Sequence, residues 1–290
     1  MFSFPYFAVL RRAYALTIDH AWLWIFGIFA GSISGFIFFL ADASRRSYWQ
    51  LALPLGLLIL FLAAAAKGAL VWTVKEFHEK RHVTLRGALK HGWHYSGRIF
   101  IIQFLALIAA ALVTAALATP VMFMFFSHQT GEAVALIFLG AGILVPVIIT
   151  LGFIGIYGPI ALVLYKFSIR ACLAFALDLF QSRLKESLLL AVLLFGLFLL
   201  FLILLGFSII VVGIPVAFFS IIFDSLHLAW PIYILVTIVG AAAVCGIVIL
   251  SAAFAVFYNF TWVLAVLEMV KTEKSDEPEK VLAPEAEPAG

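Results

Sequence analysis

Lys75-Glu76-Phe77-His78-Glu79-Lys80-Arg81-His82 runs on through Val83-Thr84-Leu85-Arg86-Gly87-Ala88-Leu89-Lys90-His91-Gly92-Trp93-His94-Tyr95-Ser96-Gly97-Arg98. This polar stretch separates two long apolar runs and holds six of the 18 Lys and Arg and four of the seven His. Working outward from it, 66% of the 290 residues are hydrophobic and 11% are charged. A soluble domain is about 45–50% apolar and about 25% charged, so water could not solvate this chain. A span needs about 20 apolar residues to cross about 30 Å of hydrocarbon. The apolar runs therefore predict an all-α polytopic membrane protein with six transmembrane helices, at about 21–41, 51–73, 99–118, 140–163, 188–210 and 232–256. Residues 1–270 form one transmembrane domain on this reading. Residues 271–290, rich in Lys, Glu, Pro and Ala without apolar periodicity, form a disordered tail.

Charge placement orients the spans. Fifteen of the 18 Lys and Arg fall on the side of both termini, two (Arg45, Arg46) on the other, and Lys67 lies inside span two near its inner end. The positive-inside bias puts both termini in the cytoplasm. Arg11 and Arg12 follow the first apolar residues, so the N-terminus lacks the order of a cleavable signal. Lys67 is placed to snorkel to the headgroups, or else to act as a charge within the membrane.

Three polar segments precede spans one, three and five, and each reads as a cytoplasmic amphipathic surface helix. In the first, Phe7, Leu10, Tyr14, Thr17 and Ala21 recur at helical spacing. In the second, Thr84 is an N-cap, Leu85, Ala88, Leu89, Trp93 and Ser96 share a face, and Gly97 ends the helix. In the third, Leu173, Leu177, Phe180, Leu184 and Leu188 make a stripe. The basic residues Arg86, Lys90 and Arg98 then meet anionic lipid headgroups. The chain thus divides into three helical hairpins. Pro146, Pro159 and Pro215 predict kinks. Gly27, Gly31 and Gly35 line one face of span one, where another span of this chain or a second copy can approach closely.

The layout resembles that of uncharacterised bacterial six-helix integral membrane proteins, similar to the membrane domain found with some glycerophosphodiester phosphodiesterases. The residues carrying the resemblance are Leu23-Trp24-Ile25-Phe26-Gly27, Leu85-Arg86-Gly87-Ala88-Leu89 and Ile169-Arg170. The resemblance implies a six-helix fold in a bacterial cytoplasmic (inner) membrane, with no assigned activity. The phosphodiesterase domain of the fused proteins has no counterpart in these residues.

One motif carries catalytic chemistry. His78-Glu79-Lys80-Arg81-His82 fits His-Glu-x-x-His, which on a helix places His78 and His82 on one face to bind Zn²⁺, with Glu79 as general base. Lys80 and Arg81 oppose a cation there, no third ligand is evident, and a solvated charged loop has the same composition. Elsewhere, His91 and His94 are interfacial polar residues or pH-sensitive groups, and Asp224 and His227 are a lone pair in an outer loop. Cys172 and Cys245 form no disulfide framework. The span interiors contain no Asp, Glu, Arg or His, which argues against proton-driven transport of charged solutes. Gln103 and Asn259 lie toward the inner side. The leading expectation is a non-enzymatic membrane scaffold or accessory protein without a cofactor, whose partners are the bilayer, a membrane protein or a second copy, and not nucleic acid. The alternatives are a transporter or lipid-handling protein with a cavity near the prolines, and a zinc-dependent membrane protease.

Overall fold

A computed structural model describes residues 4–31, 49–127, 130–225 and 229–276. The elements are α1 (Tyr6–Asp19), a 3₁₀ turn (Ala21–Leu23), α2 (Trp24–Ala30), α3 (Trp49–His78), α4 (Leu85–Phe126), α5 (Thr130–Tyr165), α6 (Ile169–Ser182), α7 (Leu184–Ser225) and α8 (Ala229–Asp276). No strand occurs among the described residues. Five of these helices are long and apolar enough to span a membrane, or six if the α1–α2 pair, bent by 89°, is counted as one. The protein is an all-α polytopic membrane protein.

The corner between α1 and α2 is pinned from both sides. Thr17 turns its hydroxyl back onto Ala13 O at 2.8 Å, and Trp24 Nε1 donates to Thr17 O at 3.0 Å. The second half of the expected first span, with Gly35, lies outside the described residues.

The helices α3, α4, α5, α7 and α8 are longer than one crossing. At 1.5 Å per residue, the 42 residues of α4 extend about 63 Å. Thr84 caps α4 as its sequence predicts, its Oγ1 accepting from Gly87 N at 3.2 Å. Gly97, however, ends nothing: α4 runs through it, so residues 85–97 and the third span are one rod. Pro120, Pro146, Pro159 and Pro215 also lie within uninterrupted helices. Hydrocarbon leaves a backbone carbonyl no water to turn to, so helices persist there through residues that would end them in water. Hydroxyls are absorbed in the same way, Thr150 Oγ1 donating to Pro146 O at 2.9 Å. The helix α8 continues to Asp276, so the first residues of the expected tail are helical; the rest of that tail lies outside the described residues.

The core sits at the Lys/Arg-rich end. It is built from the C-terminal parts of α3, α5 and α8, the N-terminal parts of α4 and α7, and α1, α2 and α6. One of its close crossings joins α3 to α4. Gly92 packs on the α3 backbone so closely that a Cβ there would stand 2.5 Å from Ala65 O and 2.8 Å from Ala69 Cβ. Further from this end the same helices expose large apolar side chains: Phe138 is 76% exposed and Ile203 67%. Such surface suits lipid, not water.

The faces buried in the protein core are not the apolar faces grouped in the sequence, several of whose large side chains remain exposed. In α1, Val9, Ala13 and Thr17 are buried while Phe7 and Tyr14 face out. In α4 the buried row is Ala88, Gly92, Ser96, Ile99 and Ile102, and Leu85, Leu89 and Trp93 are exposed. In α6 it is Cys172, Ala176, Leu179 and Phe180. The predicted stripe there is also cut by the break at Arg183, which puts Leu184 and Leu188 on α7. Each face is rotated toward small residues, because in a membrane small side chains permit helix contact while large apolar ones are equally content against lipid.

Candidate functional site

The His-Glu-x-x-His segment does not form the helix that its chemistry requires. The α3 helix ends at His78. Lys80 adopts φ 57°, Lys80 N donates to Phe77 O, and Arg81 N reaches back to Glu76 O at 2.9 Å. This is a Schellman-type terminus with a lysine in the left-handed position. His82 therefore does not follow His78 by one helical turn, and the two imidazoles, both on exposed residues, share no helical face. Glu79 is held by Arg81 at 3.1 Å, and Glu76 lies 3.6 Å from the same guanidinium. An arginine bound to the carboxylate leaves it poorly placed as a general base for a metal-bound water. Among the described residues, no group of three His, Cys, Asp or Glu side chains is arranged to hold a metal.

The rest of the stretch is structural or superficial. His91 stacks on Trp72 with ring centroids 4.3 Å apart, and its Nδ1 lies 3.0 Å from Gly87 O. His94 packs edge-on against Tyr95. Lys75 Nζ donates to Leu164 O at 3.3 Å, a cation on the C-terminal carbonyls of α5. Arg86, Lys90 and Arg98 are exposed. The exposed Leu89 and Trp93 lie on the same outward part of α4 as Lys90. Gly27 lies so close to Ala252 that a Cβ would overlap its backbone carbonyl, and a Cβ on Gly31 would meet Ala255 Cβ at 3.3 Å. The described part of the glycine face thus packs on α8 of the same chain. The side chains of Asp224 and His227 are outside those described.

The feature with ligand-binding geometry is a cleft between α2, α3, α5, α7 and α8. Its volume is about 1310 Å³, beyond the roughly 300–1,000 Å³ usual for small-molecule pockets. Its walls are mainly apolar and include Phe153, Ile156, Phe198, Phe254 and Trp262. Few polar side chains line it: Lys67, Ser251, Tyr258 and Asn259, of which Asn259 donates to Ala255 O at 2.7 Å. A second cavity of about 200 Å³ lies between α3, α4 and α5, and Lys67, Gly152 and Ile156 line both. Gln103 lines the smaller one, and its Nε2 is buried with no hydrogen-bond partner. Gly152 and Gly155 open the wall of α5, a Cβ at either meeting nothing within 4 Å. Pro146, Pro159 and Pro215 do not themselves line the cleft, but Ile149 and Ile156, which do, are each three residues from Pro146 and Pro159 respectively.

The smaller cavity brings together residues that lie apart in the sequence. Lys67 and Gln103 are both a few turns inside their spans from the basic end, eight residues before Lys75 and five after Arg98. That matched depth on antiparallel neighbours is the one signal that could have paired them. The chain matches no protein-family model, no curated protein and no solved structure.

Proposed function

We propose that this membrane protein handles lipid, holding an amphipathic molecule in the cleft between α5, α7 and α8. The observation that carries this reading is the cleft's combination of volume and apolar wall. A soluble metabolite would need more polar partners than it provides. The chain is placed in a bacterial cytoplasmic membrane with its termini inside, on the strength of the positive-inside count and the resemblance to six-helix membrane proteins. No catalytic step is assigned, because the groups that could supply one are not convergent.

Native mass spectrometry of protein released from nanodiscs tests the proposal. The wild-type protein is expected to retain one lipid mass. Gly152→Phe is expected to fold normally, since its Cβ meets open space, and to lose that lipid because the ring obstructs the wall that the cleft shares with the smaller cavity. A variant that folds and keeps the lipid would remove the reading.

The second reading, a membrane scaffold, is favoured by the exposed Lys90, Leu89 and Trp93 on α4. An amphipathic patch of this kind suits an anionic membrane surface or a partner.

A further inference from the structure

We infer that Lys67 and Gln103 form the head-group end of this cleft and select an amphiphile whose head is an anionic oxygen acceptor, a carboxylate or a phosphate. The inference rests on the lipid-handling reading and names its ligand class.

Three observations converge. First, Lys67 stands on the wall common to the two cavities, so it can reach into the small one while the large one runs past it. Second, no acidic side chain pairs with Lys67 among the described ion pairs, and the span interiors around it contain no Asp or Glu. An ammonium inside a membrane is retained where it pairs with something or serves a pathway. Third, Gln103 lines the same small cavity, and its amide Nε2 is buried with no hydrogen-bond partner. Buried polar atoms are normally satisfied, and one that is not, beside a lone cation, calls for an acceptor. Both groups donate, so the complementary head accepts and carries negative charge.

The shape agrees with the charge. The small cavity admits a head-group, and the large one continues from Lys67 past Phe153, Phe198 and Phe254, which offer nothing but apolar contact. Lys67 lies about 12 Å along the α3 axis from Lys75 at the basic end. That depth lets a head-group enter from the adjacent leaflet without crossing the bilayer.

Oleate, oleyl phosphate and oleyl alcohol share one chain and differ only in the head, so competition among them on the full-length protein in nanodiscs isolates the effect. The expected result is at least tenfold tighter retention of one or both anions than of the alcohol, and the preferred anion identifies the head. Lys67→Met and Gln103→Leu should remove the preference while leaving the alcohol bound, and Lys67→Arg should restore it in part. Equal retention of all three by the wild-type protein would overturn the inference and leave the cleft as a neutral-lipid site. Retention of none would overturn the lipid-handling reading as well. The wild-type comparison decides the matter even if a variant misfolds.

Discussion

Individual residues in this protein are chosen for how little they occupy. Gly92 admits the α3 backbone and Gly27 admits Ala252, contacts that no larger side chain could make. Gly92→Leu should therefore separate α3 from α4. The expected loss is several kcal/mol, of the size seen when a core is overpacked against rigid backbone, read as a large drop in thermal-shift midpoint in detergent. Cys172 is buried in the same core, and burial raises its thiol above the ordinary cysteine value although nearby Arg98 works in the opposite direction. The thiolate is the reactive form, so a raised value leaves less of it at neutral pH. Maleimide labelling of Cys172 should be slow at pH 7, and its rate should keep climbing above the pH at which an ordinary cysteine levels off. A fast reaction at pH 7 would show that the α6 face opens in solution.

Among the elements, helix ends carry more of the sequence information than helix middles. Thr84 and Ser168 cap α4 and α6 by the pattern their side chains announce, accepting from Gly87 N and Ala171 N. The ends of α3 and α5 depart from that pattern, with Lys80 at φ 57° and Lys166 at φ 58° where glycine is customary. A Cβ in the left-handed region costs about 1–2 kcal/mol. Lys80→Gly should accordingly stabilise the protein by about 1 kcal/mol, after allowance for the extra freedom of glycine in the unfolded chain. The measurement is the same thermal-shift assay. A destabilised variant would mean that residues 78–82 take up helix, which is also what a metal-binding arrangement would demand. The rotated faces of α1, α4 and α6 belong to this scale too. In lipid the face that meets another helix is the one that lets backbones approach, while large apolar residues can stay outside it.

Across the whole molecule, packing and charge share one end. Among the described residues, the core, most of the basic side chains and the short helices α1 and α6 lie together, and the outer halves of α4, α5, α7 and α8 present apolar surface to lipid. This arrangement puts Ser127 at one end of the molecule and Ser182 at the other. In a background with Cys172 and Cys245 changed to Ser, cysteines placed at these positions should label with an impermeant maleimide from opposite sides of the membrane. Labelling from the same side would contradict the antiparallel course of α4 and α5. The cleft is likewise a property of the whole, since five helices line it and none of them alone has a concave face.

The sequence by itself determined that this chain lives in a membrane, that it is all helix, where the polar breaks fall and which end carries the positive charge. These follow from transfer energies and hydrogen-bond closure, which act on residues one window at a time. It could not decide which faces meet, because in lipid hydrophobicity no longer distinguishes inside from outside. It could not decide whether His78 and His82 share a helix, because a single left-handed residue between them ends it. Nor could it decide that Lys67 and Gln103, 36 positions apart, open onto one cavity. Those outcomes depend on the approach distances of helices far apart in the chain, and only the tertiary structure contains them.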